Sequence, residues 1–209
     1  MGFIVGLVVA IQIPPSGCGG SPTEAESLKQ KQAAAKKVKD ERKRFEDSAQ
    51  LARADPQYTG MWMMGEYVDE FKEKTGKRYF TNTERIKGTF SNSATEDSKL
   101  DVELLVDLKN VSIKLYEYGR SLKKSSSSDK FSINIQDKDG GRHRFLGTIF
   151  VDQMFLDDRQ IADFHAIMKK GDPIKFLIRN DSRFVESYFF TIPEPDGYEN
   201  ALRILTEKK

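Results

Sequence analysis

Acid–base chemistry in a chain with only two histidines falls to its carboxylates, and among the adjacent acidic residues Asp69-Glu70 and Asp157-Asp158 are the candidate carboxylate pairs. Acid catalysis needs a carboxyl with a shifted pKa. Adjacent residues on a strand point to opposite faces, so Asp69 and Glu70 do not form a catalytic dyad by themselves, and Asp157-Asp158 has the composition of a helix cap. Hydroxyls and an amide collect in Lys87-Gly88-Thr89-Phe90-Ser91-Asn92-Ser93-Ala94-Thr95. There Ser91, Asn92, Ser93 and Thr95 offer donors and acceptors to a polar ligand, although Asn and Ser also satisfy their own backbone in turns. A deep cleft joining Asp69 or Glu70 to Ser91–Thr95 would mark an atypical hydrolase. Asp69, Glu70, Ser91, Asn92, Ser93 and Thr95 are thus candidate binding residues, with no catalytic residue assigned.

Metal and cofactor chemistry finds little material. His143 lies between Arg142 and Arg144, His165 lies beside Phe164, and neither has a Cys or second His near it for a zinc site. Asp137-Lys138-Asp139-Gly140-Gly141 begins like a calcium loop but lacks the later ligands and the closing Glu, so a hairpin turn is the expectation. No phosphate-cradling glycine loop, His-Glu-x-x-His or nucleophile elbow occurs. No cofactor and no metal are expected, and the chain reads as non-enzymatic.

The single cysteine, Cys18, comes after an apolar run from Phe3 to Ile13 and the break Pro14-Pro15. That run suits the core of a secretory signal and falls short of the roughly 20 residues a spanning helix needs. With Ser16-Gly17 directly before Cys18, residues 1–20 resemble a bacterial lipoprotein signal. The resemblance implies a signal peptide over 1–17, cleavage before Cys18, a diacylglycerol on its thiol and, with Gly19 next, an outer-membrane or cell-surface location. Two or three acyl chains, at about 0.8 kcal/mol per buried methylene, anchor a protein durably. An ordinary cleaved signal, giving a periplasmic or secreted protein, an uncleaved anchor, and a cytoplasmic protein are the alternatives.

Residues 18–56 read as a lipid-anchored stalk. Glu24 and Glu26 favour a helix start, Ala33-Ala34-Ala35 and many Lys, Glu, Gln and Arg favour its continuation, and Asp55-Pro56 stops it. Two thin apolar lines, Leu28/Ala35/Ala49 and Val38/Phe45/Ala52, would support at most weak self-association through residues 24–54. The totals, 34 basic and 32 acidic residues with a net charge of +2, argue against a dedicated nucleic-acid binder.

Residues 57–209 carry the strand patterns that must position any site. A first strand is expected from Gly60 to Phe71, turning at Lys74–Lys77, with Trp62 more a core residue than a ligand platform. Arg78–Thr81 and Arg85–Phe90 follow. Leu100, Val102, Leu104, Val106 and Leu108 alternate with mostly polar residues, as do Val111, Ile113 and Leu115 after the Lys109-Asn110 turn, so the two segments form a hairpin. Gly119–Asp129 reads as a polar loop. Further strands are expected at Phe131–Ile135, His143–Val151, Ile174–Ile178 and Tyr188–Ile192, with helices over Ile161–Met168 and after Gly197. The fold class is mainly β, a β-rich α+β domain: an antiparallel sandwich or curved sheet with two short helices, preceded by a long N-terminal helix.

Trp62, Tyr67–Phe71, Gly88–Thr95 and Ile113-x-Leu115-Tyr116-Glu117-Tyr118-Gly119 together resemble an uncharacterised group of bacterial envelope proteins marked by the stretch Gly88-Thr89-Phe90-Ser91-Asn92-Ser93-Ala94-Thr95. The resemblance implies an envelope setting and no activity. The function expected is therefore that of a lipid-anchored envelope protein with a binding or interaction domain, partnered by the membrane and an envelope protein, not by nucleic acid. An accessory or inhibitor subunit of an envelope machine and an unusual secreted hydrolase are the competing readings. A flat apolar patch near Tyr116 and Tyr118 would favour a protein partner.

Overall fold

The computed structural model describes residues 24–121, 130–171, 173–180 and 186–207, with backbone alone for 24–30 and 121. The chain divides into two compact units, residues 1–48 and 49–209. The first carries most of helix α1 (Glu24–Arg53), whose described side chains are exposed apart from a partly covered Ala49. The helix ends at Arg53, just short of Asp55-Pro56, as expected, and no helix among the described residues is long and apolar enough to cross a membrane. The signal region and Cys18 lie outside the described residues.

In the second unit the strands are β1 (Trp62–Val68), β2 (Lys74–Asn82), β3 (Ile86–Asn92), β4 (Thr95–Val106), β5 (Val111–Glu117), β6 (Arg120–Ser121), β7 (Lys130–Gln136), β8 (Arg142–Phe150), β9 (Gln153–Leu156), β10 (Ile174–Asn180) and β11 (Ser187–Ile192). A 3-10 turn (Asp158–Gln160) leads into α2 (Ile161–Lys169), and α3 (Tyr198–Thr206) ends the unit. Every pairing is antiparallel. The order β4-β3-β11-β10-β7-β8-β9-β5 returns to β4, so eight strands close into a barrel, with β1–β2 hung on the end of β4 and β6 on β5.

A closed barrel stands where the sequence predicts a sandwich or curved sheet. Hairpin links between neighbours are local and readable. Closure depends on β3 meeting β11 (Phe90 opposite Tyr188) and β5 meeting β9 (Ile113 opposite Met154), which no local pattern announces. The alternating apolar residues point inward and are buried, among them Leu100, Leu104, Ile113, Phe131, Phe176 and Phe190. Eight strands enclose a bore that side chains can fill, and these aromatic and branched residues make it a solid core.

Both barrel helices pack at one end. Phe164 of α2 stands edge-on to Phe145 and tilted against Phe176, with centroids 6.3 and 6.4 Å away. Asp157 begins this segment as expected, its side chain accepting from the Arg159 backbone N–H. Tyr198 of α3 packs edge-on to Trp62 and Phe80, both at 5.2 Å, which makes Trp62 a core residue. The Tyr198 hydroxyl lies 2.8 Å from Nδ1 of half-buried His165, and burial holds His165 below its usual pKa.

Two local features differ from the sequence reading: β6 (Arg120–Ser121) pairs with β5 inside the expected Gly119–Asp129 loop, whose residues 122–129 lie outside the described ones, and the first reversal comes earlier than Lys74–Lys77. The first reversal lies at residues 69–73, and Lys74–Lys77 already belong to β2, because Asp69 makes the turn: its Oδ1 accepts from the Phe71 and Glu73 N–H groups, both at 2.9 Å. Gly76 (φ +74°) sits within β2, opposite the irregular register between Glu66 and Val68. Beside β4, β3 pairing ends at Val102 and β2 pairing starts at Leu105. Buried Asn82 fills that gap: its Nδ2 donates to Val102 O (3.2 Å) and its Oδ1 accepts from Leu104 N (2.7 Å). Buried backbone groups need such partners.

Candidate functional site

The candidate residues described fall into two turns, and β4 separates them. Ser93 and Ala94 form the turn joining β3 to β4, while Asp69 and Glu70 sit in the β1–β2 turn. In the antiparallel register Phe80 meets Val106 at the far end of β4 from Thr95, and β2 runs from there back toward Lys74, beyond the barrel. The two groups therefore lie at opposite ends of β4, and no common cleft joins them. Glu70 is exposed in its turn.

Each group serves its own backbone. Asn92 Oδ1 accepts from Ala94 N (2.9 Å) and Thr95 N (3.1 Å), and Ser91 Oγ accepts from Asp97 N (3.0 Å). Only Thr95 enters a hydroxyl network. Its Oγ1 hydrogen-bonds Ser98 Oγ, and the Tyr118 hydroxyl stands 2.8 Å from Ser98 Oγ and 3.3 Å from Thr95 Oγ1. The neighbouring Ser98 and Thr95 hydroxyls lower the Tyr118 pKa. The Asn92→Ala/Ser93→Ala double variant is expected to lose about 1–2 kcal/mol through the two unmatched backbone donors, and any loss of binding should follow that loss in thermal melts. Binding lost at unchanged Tm would make this turn a site.

Tyr116 does not contribute to a flat apolar patch. The Arg85 guanidinium lies 3.8 Å from its ring centroid, and its hydroxyl donates to Glu103 Oε2 at 2.8 Å. Burial, helped by Glu103, pushes the Tyr116 hydroxyl up to about 12. Asp137 proves to be a turn residue, as expected. Its carboxylate, 1% exposed, accepts from Gly141 N (2.7 Å), Asp139 N (3.1 Å) and Lys170 Nζ (2.7 Å), with His143 Nε2 at 3.1 Å. These contacts, Lys170 foremost, hold its pKa far below the usual carboxylate range. Among the described residues no group of three or more His, Cys, Asp or Glu is placed to hold a metal ion.

Two concavities escaped the sequence reading. A cleft of about 720 Å³ opens between the β1–β2 hairpin, the Asp107–Asn110 turn and the end of α3. It carries both signs of charge, and several of its polar groups are engaged. The Tyr67 hydroxyl donates to Asp107 Oδ2 (2.9 Å), Arg78 donates to Glu207 O (2.6 Å), and Asp107 Oδ1 accepts from Lys109 N (2.7 Å) and Asn110 N (2.8 Å). Burial and the Asp107 carboxylate raise the Tyr67 hydroxyl well above its usual pKa, so it stays protonated.

The second concavity is a groove of about 500 Å³ on the outer wall over β8, β7, β10 and β11. Arg142, Arg144, Lys175 and Arg179 line it, with Leu177 and Phe189 between them, and none of its lining residues is acidic. The alternation that buries Phe145, Ile135, Phe176 and Phe190 turns these residues outward. The signal was present in sequence as two cations on the outward face of each strand, Arg142 and Arg144 on β8 and Lys175 and Arg179 on β10, but which strands are neighbours was not. Comparison with protein-family models, curated proteins and solved structures finds no match to this chain.

Proposed function

We propose that this chain is a lipid-anchored bacterial envelope protein whose barrel is a non-catalytic binding module working from its outer surface. The observation that carries the surface reading is the filled bore: Leu104, Ile113, Phe131, Phe176 and Phe190 occupy the space where a ligand-carrying barrel keeps a cavity. Recognition then falls to the cleft and the outer groove. The anchor reading rests on the apolar run Phe3–Ile13 and on Ser16-Gly17-Cys18, and the charged helix α1 suits a solvated spacer. The hydrolase reading loses its supporting geometry, because Asp69 and Glu70 lie at the other end of β4 from Ser91–Thr95. Intact-mass measurement of the protein from the membrane fraction tests the anchor. A mature chain starting at Cys18 with diacylglycerol attached is expected, and an unmodified Cys18 overturns it.

A further inference from the structure

The outer groove is more selective than a general binding surface. We propose that it binds a phosphate-bearing amphiphile, the headgroup and proximal chain of an anionic lipid, a reading that rests on the envelope assignment only for the source of that ligand. Register assembles the groove in rows across the sheet. Arg142, Gln136 and Lys175 are direct neighbours on β8, β7 and β10, and the next row holds Arg144, Asn134, Leu177 and Phe189 on β8, β7, β10 and β11. Arg179 follows in the third row, opposite Ser132.

Adjacent strands lie about 4.8 Å apart, and same-face residues along a strand about 7 Å apart. Arg142 and Lys175 therefore flank Gln136 at roughly 10 Å between backbones. Long side chains from either side can converge on one phosphate over the β7 amide side chains. A guanidinium meets two phosphate oxygens at once, and an ammonium adds a point charge.

Two further observations narrow the ligand. Among the described residues no carboxylate pairs with Arg142, Lys175 or Arg179, so these three charges are not neutralised by an ion pair there. Some cations elsewhere on the barrel do have such a partner, as Lys87 has in Asp101 (2.8 Å) and Lys170 in Asp137 (2.7 Å). The apolar pair Leu177 and Phe189 are cross-strand neighbours in the groove, and Phe189 is 45% exposed. A bare anion leaves that surface wet, whereas an amphiphile covers it while its phosphate meets the cations.

Isothermal titration of the full chain in a neutral detergent tests this with four probes: dihexanoyl phosphatidic acid, dihexanoyl phosphatidylcholine, inorganic phosphate and a short oligothymidylate. The phosphatidylcholine, with the same tails, measures partition into the micelle. Phosphatidic acid is expected to bind at least tenfold tighter than either inorganic phosphate or phosphatidylcholine. Arg142→Ala/Lys175→Ala should weaken it tenfold or more, and Phe189→Ala should remove its advantage over inorganic phosphate. All three side chains face outward, so unchanged melting curves will separate these effects from misfolding. Equal binding of phosphatidylcholine or inorganic phosphate, tighter binding of the oligonucleotide, or indifference to the double variant each overturns the proposal. Failure here leaves the lipidation of Cys18 standing, since mass reports that independently, and an unlipidated Cys18 does not alter this titration.

Discussion

Gly88→Ala is expected to lower barrel stability by about 3 kcal/mol, seen as a fall in Tm of about 6–12 °C. A methyl group at Gly88 would stand 2.3 Å from the carbonyl oxygen of Phe189 and 2.7 Å from Cβ of Phe190. The first of these is backbone, so no side-chain rotation relieves the clash. The strands must separate where Gly88 faces Phe190, one of the pairings that close the barrel. Thr89→Val, on the outward face of the same strand, should stay within about 0.5 kcal/mol of the parent. An unchanged melt for Gly88→Ala would mean that β3 and β11 do not meet in this register, and the closed barrel would fall with it.

Trp62→Ala should cost about 4 kcal/mol and act most strongly on α3. Trp62 is 1% exposed, its ring lies 5.4 Å from Phe80 and 5.2 Å from Tyr198, and Nε1 donates to Pro195 O at 3.4 Å. Its removal leaves a cavity beneath the helix that carries Tyr198, Ala201 and Leu205. Hydrogen exchange should then quicken at the α3 amides while the β7 and β10 amides lose only the global share, as expected for a locally weakened unit. A loss under about 1 kcal/mol would remove Trp62 from the core and restore it as a surface platform.

The legible parts of this fold were local ones. Alternation located β4, β5, β7, β8, β10 and β11, because a sheet with one buried face writes its period of two into the chain. Asp157 and Gly171 bracketed the helical segment for reasons of capping and positive φ. The first reversal was misplaced because Gly76 resembles a turn residue, whereas the turn belongs to Asp69, which caps two backbone donors itself. The short strand β9 has four residues, too few to show a period. The Gly88–Thr95 stretch drew attention for its hydroxyls, yet Gly88 serves close strand approach and Asn92 serves the turn. The residues that make the groove were each unremarkable in a chain whose total charge is +2.

By itself the sequence determined the longer strands β4, β5, β7, β8, β10 and β11 and which face of each is apolar, since those follow from propensity and periodicity within a few residues. It also carries the apolar run and the Cys18 pattern on which the envelope reading rests. Tertiary structure decided that the sheet closes, that its bore is filled, and that the carboxylates and hydroxyls of the two turns lie apart. It alone set Arg142 beside Lys175 across β7 and left them without a carboxylate partner among the described residues. The physical reason is common to all of these. Which strands become neighbours depends on contacts between distant segments, and a summed charge or a local period contains no information about them.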